Sequence, residues 1–145
     1  MVICIDFDGT CVSHAFPKVG KDIGAAPVLK KLVAAGHQLV LFTMRGNRAM
    51  ENDTGDDGIM DVTGLFLDDA VNWFKKNNIP LFGINENPTQ KQWTTSPKAH
   101  GQLYIDDAAL GCPLKTDYAD DNEIMFIQYV DWVKVEAMLT VMGIL

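Results

Sequence analysis

Short apolar runs followed by polar residues alternate along this chain with stretches of helical spacing. Residues 2–6 read VICID, residues 38–42 read QLVLF and lead into Thr43, residues 80–84 read PLFGI, and residues 103–106 read LYID. Runs this short and this continuously apolar are what buried parallel strands require, because both of their faces are covered. Between the first two runs, Val28, Leu29, Leu32 and Val33 share one helical face. Pro27 stands near the start of that pattern and Gly36 ends it. A second helix is predicted over residues 65–77. There Leu67, Ala70, Val71 and Phe74 repeat at helical spacing, and Lys75 and Lys76 suit the C-terminal end. Strands alternating with helices predict an α/β fold, a Rossmann-like parallel sheet with helices on both faces. Residues 45–58 are rich in Asn, Asp and Gly and predict a surface loop, and residues 85–96 read as irregular. Residues 124–129 fit either strand or helix, and Asp131 is placed to cap a last helix carrying Trp132, Val135, Met138 and Leu139. No repeat, low-complexity tract or linker interrupts the sequence, so a single domain is expected over residues 1–145.

Polar residues gather just beyond the first, second and fourth strands, where ligands bind in open α/β sheets. The strongest cluster is Asp6, Phe7, Asp8, Gly9 and Thr10. Two carboxylates two residues apart at the end of a buried strand are costly unless a cation compensates them. An oxygen-only donor set suits magnesium. Gly9 frees the backbone to leave the strand sharply. The plain alternative is a strand-end turn, for which Asp-Gly is a common dipeptide.

The other candidates are weaker singly. Thr43 could offer a hydroxyl and an amide to a phosphoryl oxygen, or be an ordinary strand-end threonine. Arg45 could hold a phosphate or leaving group with its planar fork. It could equally pair with the acidic loop containing Asp53, Asp56 and Asp57. Lys98, eight residues before Asp106, could neutralise an attacking carboxylate, or lie solvated on the surface. Asp106 and Asp107 end the fourth strand with two more acids, or one of them is the N-cap of a helix from Ala108 onward.

Composition removes several function classes. The formal net charge of -7 argues against nucleic-acid binding through a basic patch. It leaves room for a small phosphorylated substrate in a locally positive site. No apolar run of about 18 residues indicates a membrane span. The N-terminus lacks the pattern of a signal peptide, so a cytoplasmic location is expected. Cys4, Cys11 and Cys112 are odd in number and contain no C-x-x-C pair. Cys11 and His14 have ligand-like spacing, but a second pair is missing, and both are read as structural.

In this order, the Asp6–Thr10 pentapeptide, Thr43, Lys98 and the Asp106–Asp107 pair resemble the four motifs of the haloacid dehalogenase (HAD) superfamily. The resemblance runs from Asp6 to Asp107, and it is nearest to small HAD-like hydrolases of bacteria and phages. It implies a magnesium-dependent phosphohydrolase. Asp6 would be the nucleophile and form an aspartyl-phosphate; Asp8 would protonate the leaving oxygen and then activate water. Thr43 and Lys98 would complete the catalytic set, with Gly9 and Arg45 on the substrate. Magnesium would be held by Asp6, the main-chain carbonyl of Asp8 and Asp107, with Asp106 in support. Dehalogenating members need neither the second aspartate nor a metal, so phosphoryl chemistry is favoured, as a phosphatase or a phosphotransferase. A full cap domain does not fit between the motifs, so the site is expected to be open. Two other readings stand beside this one. A non-catalytic phosphate-binding or regulatory module would be expected to have lost Asp6, Asp8 or Lys98. A phosphoacceptor receiver domain carries its phosphorylated Asp on the third strand, which here ends near Ile84 and Asn85.

Overall fold

The computed structural model describes residues 1–48, 63–118 and 126–145. In chain order the elements are β1 (Val2–Ile5), α1 (Ala25–Ala34), β2 (Gln38–Leu41), β3 (Asn47–Arg48), β4 (Gly64–Leu65), α2 (Phe66–Lys76), β5 (Gly83–Ile84), a 3-10 turn (Gln90–Gln92), β6 (Leu103–Ile105), β7 (Leu114–Tyr118), β8 (Phe126–Val130) and α3 (Trp132–Val141). Four strands form one parallel sheet in the order β5–β2–β1–β6. The fold is α/β, as the alternating pattern predicts.

Side-chain alternation along the strands sorts the core into two faces. Ile3, Ile5, Leu39 and Leu41 point to one face. They pack there with Ala25, Val28, Leu29 and Leu32 of α1, Ala70 and Phe74 of α2, and Trp132, Val135 and Leu139 of α3. Val2, Cys4 and Val40 point to the other face, against Ala99, Phe42 and Phe82. The covering of this second face differs from the expected one: the described helices pack on the first face. Handedness gives the reason. The steps β1 to β2 to β5 run in one direction, so their right-handed crossovers, α1 and α2, share a face. The return from β5 to β6 must cross the opposite face, and residues 85–102 make that crossing with a 3-10 turn in place of a helix. Pro88 and Pro97 in that stretch disfavour a longer helix.

The three described helices end alike. A left-handed residue follows each C-cap: Gly36, Asn78 and Gly143. Its amide and the next one turn back onto the last turn, as in Gly36 to Val33 at 2.9 Å and His37 to Leu32 at 3.1 Å. This is the Schellman arrangement, and it satisfies carbonyls the helix would leave orphaned. Asp131 caps α3 as expected, accepting from the Lys134 amide.

Two small antiparallel pairs complete the fold. β3 pairs with β4 at the start of the expected 45–58 loop; residues 49–58 of that loop lie outside the described residues. β7 pairs with β8, which resolves the ambiguous 124–129 stretch as a strand from Phe126 onward. The end of this hairpin and the start of α3 support the loop after β1. The Val130 amide donates to the Gly9 carbonyl at 2.8 Å, and the Trp132 indole donates to the Thr10 carbonyl at 2.7 Å. Among the described residues no helix is long and apolar enough to cross a membrane.

Candidate metal and catalytic site

The site forms where β1 and β6 end side by side. The Asp6 amide donates to the Ile105 carbonyl at 3.0 Å, so the two strands stay paired up to their acids. Beyond Asp6 the chain folds around the Phe7 carbonyl, which accepts from the amides of Thr10, Cys11 and Val12. The Phe7 side chain is fully buried beneath this loop. The result is a rigid platform for groups that would otherwise be at a mobile strand end.

Three carboxylates converge there. Oxygens of Asp6, Asp106 and Asp107 all lie within 4.8 Å of one another. The buried Thr10 hydroxyl sits among them. It accepts from the Asp107 amide at 3.0 Å and faces Asp6 Oδ2 at 3.2 Å and Asp107 Oδ1 at 3.4 Å. It has one proton, so it serves one carboxylate at a time. Burial pushes the Asp6 carboxyl up to about 7, and the charges of Asp106 and Asp107 add to the rise; the Phe7 amide and the Thr10 hydroxyl oppose it. Such a cluster is short of positive charge. Its all-oxygen donor set and its mutual repulsion fit a hard divalent cation such as magnesium. Asp106 Oδ1 also accepts from the Ala108 amide at 2.8 Å, but a turn follows it where the alternative reading expected a helix.

Asp8 turns away from this cluster. Arg45 Nε donates to its Oδ2 and an Arg45 terminal nitrogen donates to its Oδ1, both at 2.7 Å. The Asp8 side chain is thereby engaged, which leaves its main-chain carbonyl as what it could offer an ion. Arg45 is itself buried. It also donates to the carbonyls of Pro17 and Lys18, and its guanidinium stacks over the rings of Phe7 and Phe16. Four of the five guanidinium N–H groups are therefore used inside the protein. This corrects the expectation that Arg45 grips substrate: it orients Asp8, and the acidic residues Asp53, Asp56 and Asp57, its other expected partners, lie outside the described residues.

Three further expectations change. Gly9 does not offer its amide to substrate, because that N–H donates to the Val12 carbonyl at 2.7 Å. Its contribution is space. At φ +79° it turns the chain, and a Cβ there would sit 2.3 Å from His14 Nε2 and 2.6 Å from Asp107 Oδ2. Thr43 has given its amide to Asn85 Oδ1 at 2.8 Å, and its oxygen accepts from the Arg45 amide at 3.1 Å, so only its hydroxyl proton remains to be donated. Lys98 is exposed, with its ammonium 5.7 Å from the centre of the Tyr104 ring, and it makes no ion pair with Asp6, Asp106 or Asp107. Lys91 does not take its place, since it pairs with Glu86 at 2.8 Å.

His14, read from the sequence as structural, meets the cluster instead: its Nε2 lies 2.9 Å from Asp107 Oδ2. Cys11, its supposed companion, is fully buried, with its thiol on the Asp6 carbonyl at 3.2 Å. Burial and the charges of Asp6 and Asp8 hold that thiol well above its ordinary value. Local spacing set His14 beside Cys11 and gave no sign of Asp107, its partner 93 residues away. The same is true of Trp132, which braces Thr10 across 122 residues.

No protein-family model and no curated protein matches this chain. A solved structure of a conserved protein from Bacteroides thetaiotaomicron is similar, at 26% identity and a TM-score of 0.67. The match covers 98% of this chain and 91% of that one, so the likeness extends over the whole α/β fold.

Proposed function

We propose that this chain is a magnesium-dependent phosphohydrolase of the HAD type, acting on a phosphomonoester through Asp6. The observation that carries this reading is the meeting of Asp6, Asp106 and Asp107 at the C-terminal ends of two adjacent parallel strands. Asp6, Asp107 and Asp106 would hold the ion, with the Asp8 carbonyl as a further oxygen. When bound, magnesium would stabilise the charge on the phosphoryl oxygens and keep Asp6 ionised.

The protein's own groups would then do the following. An Asp6 oxygen attacks phosphorus as the bond to the leaving oxygen breaks, forming an aspartyl-phosphate. For Asp8 to give the leaving oxygen a proton, its carboxyl must be protonated and free one oxygen from the Arg45 contacts of the resting structure. The Asp8 carboxylate, held in one orientation by Arg45, next takes a proton from the water that attacks the phosphoryl group. This releases phosphate and restores Asp6. The Thr43 hydroxyl is free to donate to a phosphoryl oxygen. Lys98 can face that group only by leaving the Tyr104 ring, a movement its flexible stem allows. A phosphotransferase would share the first half of this sequence and pass the phosphoryl group to another acceptor. The three cysteines are free thiols, which suits a reducing, cytoplasmic setting.

The test is hydrolysis of p-nitrophenyl phosphate and of a panel of phosphorylated metabolites. Activity is expected with magnesium, to vanish with EDTA, and to return when magnesium is restored in excess. Full activity in metal-free buffer would rule the proposal out. The position of Lys98 favours one rival, a non-catalytic module, which predicts metal binding with no turnover of any phosphate in the panel.

A further inference from the structure

We propose that His14 is a positioning residue for the metal centre, fixing the carboxylate of Asp107 so that it presents one orientation to the cation. The inference rests on the magnesium reading above and concerns how the site is held. An ionised carboxylate can only accept, so the ring nitrogen facing it at 2.9 Å carries the proton and donates. His14 thus takes Oδ2. From the other side Thr10 faces Oδ1 and receives the Asp107 amide. His14 restrains Asp107 at Oδ2 throughout, and Thr10 adds a hold on Oδ1 when its single proton is not on Asp6, so Asp107 is kept from swinging away to relieve its repulsion with Asp6 and Asp106.

Two independent features show that this contact is built into the loop. The first is the space made by Gly9. Any Cβ at position 9 would overlap both His14 Nε2 and Asp107 Oδ2, at 2.3 and 2.6 Å. The ring can therefore reach the acid only across a glycine. The second is the anchoring of the loop beside the ring. The Ser13 amide donates to the Lys21 carbonyl at 3.0 Å, and the Lys21 amide donates back to Ser13 Oγ at 2.9 Å. Val12 bridges to Asp22 next to them. The backbone leading into His14 is thereby pinned, although the His14 side chain is half exposed. An exposed ion pair free to move would contribute little; one aimed by its backbone at a ligating carboxylate tunes the ligand. Outer partners of this kind change metal affinity by about 10–100-fold when removed.

The experiment measures Mn2+ affinity of the full chain by electron paramagnetic resonance of the free ion, so no turnover is needed. His14→Ala should weaken binding by about 10–100-fold, while circular dichroism and the melting temperature of the metal-free protein stay near wild type. His14→Gln carries an amide nitrogen at the reach of Nε2 and should stay within about threefold of wild type. His14→Asn, which is one atom shorter, should behave like His14→Ala. Affinity of His14→Ala within about twofold of wild type would overturn the proposal, as would a His14→Gln as weak as His14→Ala. If wild type itself binds no Mn2+, the metal reading fails and takes this inference with it. If wild type binds and the variants match it, the metal reading stands and only the role of His14 falls.

Discussion

Asp6→Asn should lose turnover by roughly 10^4-fold or more, the scale seen when an enzymatic nucleophile is removed. Asn cannot form the acyl-phosphate, yet it has the same size and can still accept from the Thr10 hydroxyl. The fold should therefore survive, and stability gives a second, independent readout. In the metal-free protein the Asp6 carboxyl is raised from 3.8 to about 7, so the native state holds this proton more tightly than the unfolded chain does. Its contribution is fully present below about pH 4 and is lost as pH rises through about 7. Wild type without metal should thus lose more stability between pH 5 and pH 8 than Asp6→Asn does, by this linkage. Magnesium should restore wild type at pH 8 and do less for the variant, because a cation stabilises the ionised acid. Parallel pH–melting curves for the two metal-free proteins would show that Asp6 is not the strained group, and unchanged turnover would remove it as nucleophile.

Arg45→Ala should be the most destabilising single change at the site. The guanidinium is buried, and it binds Asp8 through both carboxylate oxygens and two main-chain carbonyls. Removing it leaves a carboxylate and two carbonyls without their partner and opens a gap between the rings of Phe7 and Phe16. Breaking a buried pair from one side costs about 3–5 kcal/mol. For a chain of this size that corresponds to a fall of roughly 6–20 °C in melting temperature. Arg45→Lys keeps the charge but lacks the fork, and should recover part of the stability. A purely structural role would scale all substrates equally. An Asp8 left without orientation should instead slow alkyl phosphates, which need a proton on the leaving oxygen, more than p-nitrophenyl phosphate. A melting temperature within about 2 °C of wild type would show that the lock carries no stability.

The sequence made the sheet legible because each of its cues is local. Apolar runs such as residues 38–42 and the spacing of Leu67, Ala70 and Phe74 act within one element, and the structure has β2 and α2 at those places. The acids were legible for the same reason: Asp6 and the Asp106–Asp107 pair each stand directly after a strand. What local pattern could not reveal was partnership across the chain. Arg45 stands two residues past Thr43 and reads as a phosphate-binding fork, yet its partner is Asp8, 37 residues earlier. Gly9 reads as a turn and a substrate-binding position, and nothing local tells that a Cβ there would overlap both His14 Nε2 and Asp107 Oδ2. Lys98 could be read from its position before β6, but position does not fix a long exposed side chain, which here rests on the Tyr104 ring. The second face of the sheet was missed because its cover is set by the direction of the β5 to β6 return, a property of topology that no single segment carries.

The central claim is that phosphate leaves its ester through a covalent bond to Asp6, and this bond can be sought directly. Enzyme turning over p-nitrophenyl phosphate with magnesium would be quenched in acid, reduced with borohydride and analysed by peptide mass spectrometry. Reduction of an aspartyl-phosphate yields homoserine, so the account predicts homoserine at position 6, present only when substrate and magnesium are both supplied. Release of phosphate with Asp6 unmodified, or the reduced residue appearing at Asp8, Asp106 or Asp107 instead, would contradict it.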